Sequence, residues 1–262
     1  MPLADANGIR IYYEIEGPAT TPVLAFSNSL GTNLHMWDAQ AGALKDRFRI
    51  LRYDTRGHGQ TSAPGGPYTI QLLASDFIAL LDGLGIDQCH FCGLSMGGMT
   101  ALWLAVHHAN RVKKIVVANS AAKIGTAESW NLRISKVASE GMANVACEVV
   151  ARWFTPEFQN EKPEVVSVLR RMLETTDLKG YIANCEAIRD MDQRESVAGI
   201  SIPTLIISGE HDPVTPPAEG DALANAIRGA KHVKLKAAHL SNVERASEFT
   251  GALAAFLEAR NG

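Results

Sequence analysis

The chain has 262 residues, 46% of them hydrophobic and 20% charged, with a formal net charge of −3. That balance suits a globular fold with a substantial core. It holds no lysine or arginine run to make a nucleic-acid patch, and no apolar run near the roughly 20 residues that cross a bilayer. The opening Met1-Pro2-Leu3-Ala4-Asp5 has neither the basic nor the apolar stretch of a secretory signal. Four cysteines, Cys89, Cys92, Cys147 and Cys185, are sparse usage and suit a reducing cytoplasm, the expected location.

In chain order, the first element reads as a hairpin: Leu3, an Asn7-Gly8 turn, then a strand from Ile9 to Glu16. Further strands are expected at Val23 to Ser27, Phe48 to Tyr53, His90 to Gly93, Lys114 to Asn119, Thr204 to Ser208 and Val233 to Lys236. Several are short, continuous and aliphatic, the texture of strands buried on both faces of a parallel sheet. Helical patterns fill the gaps, notably Thr69 to Leu84 and Met96 to His108. The last helix opens on the capping-box spelling Ser241-Asn242-Val243-Glu244 and runs to about Arg260. Alternation of strand and helix predicts a doubly wound α/β sheet. From Lys123 to Arg194 the alternation stops and only helical patterns appear. The expected organisation is therefore a core of residues 1–122 and 195–262, with 123–194 as a helical cap over the carboxyl edge of the sheet. Open α/β sheets place their ligands at that edge.

The strongest local signal is Gly93-Leu94-Ser95-Met96-Gly97, the only G-x-S-x-G in the chain. It follows an apolar strand and precedes a helix, as that motif requires. Ser95 is the predicted nucleophile, on a turn where glycines let strand and helix approach. A serine hydroxyl needs a histidine base held by a carboxylate. In this fold the acid and then the histidine follow the serine along the chain. His239 lies between the last strand and the last helix, whereas His107 and His108 lie late in their helix and His90 lies within a strand. The acid is expected after the Thr204 to Ser208 strand, where Asp212 leads and Glu210 comes early in the loop. The N–H groups of Met96 and Leu30 are the expected oxyanion donors. Cys89 and Cys92 form a C-x-x-C, but positions three apart on a strand face opposite sides and should not pair. No cluster of metal ligands is apparent.

With these residues in hand, the chain resembles the α/β-hydrolases over its whole length. Asp54-Thr55-Arg56-Gly57-His58-Gly59-Gln60-Thr61-Ser62 resembles their D-x-R-G-x-G-x-S loop. Within the superfamily the chain is most similar to 3-oxoadipate enol-lactonases of the bacterial β-ketoadipate pathway. The carrying stretches are Ser27 to Asp38, Phe91 to Met99, Ala118 to Thr126, Ala183 to Asp192 and His239 to Glu244. Asn28-Ser29 stands where most of the superfamily carries His-Gly, a departure the lactonases share. The resemblance implies an α/β-hydrolase fold with a mostly parallel eight-stranded sheet, no cofactor, and a small anionic lactone as substrate. Because that substrate bears a free carboxylate, Arg133 is expected to bind it and Trp130, three residues away on one helical face, to line the ring site. Arg152, Arg170, Arg171 and Arg189 are the alternatives. Rival activities on this scaffold are a carboxylesterase, a C–C hydrolase, a perhydrolase and a hydrolase-like receptor.

Overall fold

The computed structural model describes residues 2–259. Its eight strands are β1 (Leu3–Ala6), β2 (Ile9–Glu16), β3 (Val23–Ser27), β4 (Arg49–Tyr53), β5 (Cys89–Leu94), β6 (Val112–Ala118), β7 (Thr204–Gly209) and β8 (Lys231–Leu235). They form one sheet in the order β1-β2-β4-β3-β5-β6-β7-β8. The pairings β1 with β2 and β2 with β4 are antiparallel, and every other pairing is parallel. The predicted strands all form, two of them with the expected ends and the others with ends that move by one or two residues. The central strands β5 and β7 are buried at every position, as a sheet covered on both faces demands.

Helices α1 (Asp38–Leu44), α2 (Ile70–Gly83) and α3 (Met96–His107) precede or follow the early strands, and α9 (Pro217–Ala226), α10 (Ser241–Glu244) and α11 (Ala246–Glu258) come late. Two apolar layers result. Phe26, Cys92, Val116 and Ile207 meet α1 and α11 on one face of the sheet. Ala25, Phe91, Val117 and Ile206 meet α2, α3 and α9 on the other. Cys89 and Cys92 fall into opposite layers as expected, and both are free, with burial pushing each thiol's pKa up. Thr69 caps α2 by accepting a hydrogen bond from the Leu72 N–H, which explains where that helix begins. No helix among the described residues is long and apolar enough to cross a membrane.

The last helix differs from expectation. It breaks at Arg245, whose φ of −123° and ψ of 51° lie outside the helical region. No capping box forms. Ser241 donates its hydroxyl to Asn119 Oδ1, and Glu244 accepts from the Ala238 N–H at 2.9 Å and from the Thr155 hydroxyl. Both side chains are spent on distant segments, so the local cap loses to tertiary contacts. The expected end near Arg260 lies outside the described residues.

Between β6 and β7 the chain makes five helices: α4 (Ala127–Glu140), α5 (Met142–Val150), α6 (Pro156–Glu161), α7 (Pro163–Glu174) and α8 (Leu178–Asp190). A true capping box starts α4, where Thr126 and Ser129 exchange side-chain and backbone hydrogen bonds. Pro163 and Pro156 occupy the first turns of α7 and α6, where a missing N–H costs nothing. Leu169 and Leu173 of α7, Tyr181 of α8 and Trp130 of α4 bury themselves in the same apolar layer as α1 and α11.

Candidate active site

Ser95 stands between β5 and α3 with φ 57° and ψ −113°, a left-handed conformation that costs a non-glycine residue energy. The close approaches that hold it there explain both motif glycines. A Cβ on Gly93 would collide with the Gly97 carbonyl, and one on Gly97 would collide with the Ser27 carbonyl. Ser95 N–H donates to the Ala118 carbonyl at 2.9 Å, and Ser120 Oγ donates to the Ser95 carbonyl at 2.7 Å. The turn is thus pinned to the end of β6. Ser95 Oγ makes no hydrogen bond among the described residues and opens into a chamber that His239 also lines.

Below the chamber, His239 Nδ1 lies 2.8 Å from Asp212 Oδ2. Glu210, the rival acid, is exposed, whereas Asp212 is buried. Asp212 Oδ2 also accepts from Asn119 Nδ2 at 3.0 Å and from the Thr215 hydroxyl at 2.7 Å. Its Oδ1 accepts the N–H groups of Val214 and Thr215 at 2.8 and 3.0 Å. Burial works against the charged carboxylate, but the His239 imidazole and the donated hydrogen bonds outweigh it and hold the pKa below the usual range. Asp212 is therefore an ionised acceptor that fixes a proton on His239 Nδ1 and leaves Nε2 as the basic nitrogen.

Asn119 was not foreseen. It sits at φ 44° just past β6, and one amide ties three segments together. Besides Asp212 it donates to the Ala238 carbonyl at 3.1 Å and accepts from Ser241. Only the polar residue at a strand end hinted at this role, and the hint is too common to be read alone.

The second predicted pair is backbone. The Leu30 side chain lines the chamber, and the N–H groups of Leu30 and Met96 have no acceptor among the described residues. The loop that carries Leu30 is rigidly held. Asn28 Nδ2 donates to the Tyr53 carbonyl at 3.0 Å and its Oδ1 accepts from Trp37 Nε1 at 3.1 Å. The Asn28 carbonyl in turn accepts the Gly97 N–H at 3.1 Å, which fastens this loop to the start of α3.

The helical insertion forms the roof. The chamber, about 20 Å³, opens toward a vestibule of about 310 Å³, and the two share Ile124, Trp130, Arg133, Val149, Arg152 and Val214. Trp130 and Arg133 share one face of α4, with the guanidinium carbon 5.6 Å from the indole centre. Arg133 Nε already donates to the buried Tyr181 hydroxyl at 2.9 Å. Arg152, just past α5, has a buried Nε with no partner, and it forms no ion pair among the described residues. Burial and the neighbouring Arg133 charge both push its pKa down. Arg170 and Arg189 pair with Glu174 and Asp190 and do not line the chamber.

Residues 22–246 match the family described as the alpha/beta hydrolase fold. A 3-oxoadipate enol-lactonase of Acinetobacter baylyi is 44% identical over 98% of this chain and 96% of its own length. The chain belongs to the α/β-hydrolase family, among the 3-oxoadipate enol-lactonases. A second enol-lactonase of the same organism is 40% identical over the same shares. The crystal structure of the enol-lactonase from Burkholderia xenovorans is 46% identical and superposes with a TM-score of 0.97, covering 98% of this chain and all of that one.

Proposed function

We propose that this hydrolase opens 3-oxoadipate enol-lactone to 3-oxoadipate, in the cytoplasmic breakdown of protocatechuate and catechol, through Ser95, His239 and Asp212. The carrying observation is the chamber itself. A strained serine faces it, a carboxylate-held histidine lines it, and the guanidinium groups of Arg133 and Arg152, neither in an ion pair among the described residues, close it from above. The enol-lactonase relatives support the lactone as substrate, and four thiols with no disulfide among the described residues support a cytoplasmic setting.

Ser95 Oγ attacks the lactone carbonyl while His239 Nε2 takes its proton. Asp212 holds the imidazole tautomer and stabilises the imidazolium. The N–H groups of Leu30 and Met96 stabilise the tetrahedral oxyanion. Collapse breaks the ring C–O bond, and the leaving enolate takes the proton back from His239. It tautomerises to the ketone on the same carbon chain, which is now esterified to Ser95. Water, deprotonated by His239, attacks that ester and frees the second carboxylate and the Ser95 hydroxyl. The free carboxylate of the lactone pairs with Arg152 and Arg133, and Trp130 lies against the ring. The chamber and the vestibule share six lining residues, so the lactone has room across the two.

Steady-state turnover of freshly generated 3-oxoadipate enol-lactone, set against a neutral aryl ester, tests this reading. The expected result is saturable hydrolysis of the lactone that Ser95→Ala abolishes. Hydrolysis of the aryl ester alone would instead make the chain a general carboxylesterase.

A further inference from the structure

Gly31 follows the Leu30 oxyanion donor and has φ +81°. A side chain there would collide with Leu173 of α7 and meet Tyr181 of α8. Its N–H is buried and donates at 2.8 Å to Nε2 of His58, which lies in the Asp54 to Ser62 loop after β4. A backbone N–H only donates, so the ring nitrogen facing it must carry a lone pair. The ring proton then sits on Nδ1, which faces the Arg56 carbonyl at 3.4 Å. Burial pushes the His58 pKa down to about 4, and the Arg56 carbonyl opposes this only in part, so the ring is a neutral acceptor at pH 7. The same two loops meet again where Asp54 Oδ1 accepts the Leu34 N–H at 2.8 Å.

We infer that His58 is a positioning residue for the oxyanion hole, through the lone pair on its Nε2. That lone pair fixes the Leu30–Gly31 peptide plane. The adjoining Ser29–Leu30 plane carries the donor N–H, separated from it only by the two torsions of Leu30. Without an acceptor at His58, the Gly31 N–H loses its only partner among the described residues and the segment rotates to find another. The Leu30 N–H then no longer aims at the developing oxyanion. The effect falls on the transition state more than on bound substrate, because the negative oxygen exists only there. This inference rests on the serine-hydrolase reading above.

The test compares His58→Gln, whose amide oxygen reaches the place of Nε2, with His58→Leu and His58→Phe, which lack an acceptor. Each variant is melted to establish folding, and two apolar replacements guard against one failing to fold. The acceptor-free variants should lose about 10- to 100-fold in kcat with KM changed less than about twofold, a little below the loss of a whole oxyanion donor. His58→Gln should recover most of that loss. Independently of turnover, long-range nitrogen NMR of the wild-type chain should find His58 protonated on Nδ1 and unprotonated on Nε2 at pH 7. A proton on Nε2 would overturn the inference, as would equal kcat in folded Gln and Leu variants beside an active wild type. A wild type no faster than Ser95→Ala on every ester and lactone would overturn the parent reading and this inference together.

Discussion

The floor and the roof of the chamber treat their polar groups differently. On the floor, Asp212 accepts five hydrogen bonds, and Asn119 gives or takes three. In the roof, Arg133 leans on a single phenol, and Arg152 keeps a buried N–H with no acceptor among the described residues. A saturated floor is preorganised: it holds its charges in place before any ligand arrives, which is what lowers a barrier. An unsaturated, partly buried cation costs free energy in the empty chain and regains it only with an anion. In the proposed function the floor therefore carries the chemistry, and the roof selects which acyl compound receives it.

The largest expected effects break the floor. Ser95→Ala or His239→Ala should lower kcat on the lactone by about 10⁴- to 10⁶-fold, measured at steady state, and Ser95→Ala should leave the melting temperature almost unmoved. Asp212→Asn should cost about 10⁴-fold, because an amide facing Nδ1 favours the wrong imidazole tautomer. The roof should respond selectively. Arg152→Gln is expected to cut kcat/KM on the anionic lactone by about 10- to 100-fold, the worth of a charge-assisted hydrogen bond, mostly through KM. A neutral aryl ester should be hydrolysed within about twofold of the wild-type rate. An equal loss on both substrates would erase the distinction between floor and roof.

Smaller effects sharpen the comparison. Asn119→Ala strips one partner each from Asp212, Ala238 and Ser241, and should cost about 1–3 kcal/mol in a urea melt. Acid should destabilise the fold through buried histidines. His58 and His90 are each pushed down to about 4, His58 by burial and His90 by burial and then by Lys114 and Lys113. Below pH 6.5 the unfolded chain takes up protons that these folded rings refuse. The stability they contribute is thus complete above 6.5 and drains away as pH falls toward 4. The slope contributed by one such ring reaches at most about 1.4 kcal/mol per pH unit. His58→Gln should flatten the measured dependence by up to that much.

Local patterns made the floor legible. G-x-S-x-G at a strand-to-helix junction marked Ser95 because the strained turn needs those glycines within four residues. Chain order and loop position then isolated Asp212 and His239. The doubly wound sheet followed from aliphatic runs spaced by helices, since burial on both faces writes itself into consecutive residues, and its eight-stranded form from the family resemblance. The roof was legible only as a helical stretch. Trp130 and Arg133 could be placed on one face, because helical spacing fixes that much. Which arginine is left unpaired depends on Tyr181, nearly fifty residues from Arg133, and on how Arg152 enters the chamber. Asn119 joining Asp212 to Ser241, His58 meeting Gly31, and the break at Arg245 are likewise contacts between segments remote in sequence. The sequence by itself determined the strands and the elbow, and pointed to the proposed partners of Ser95, because steric and periodic constraints act over a few residues. Tertiary structure decided which polar groups are satisfied and which remain open to a ligand, because every buried donor must find its acceptor wherever the fold brings one.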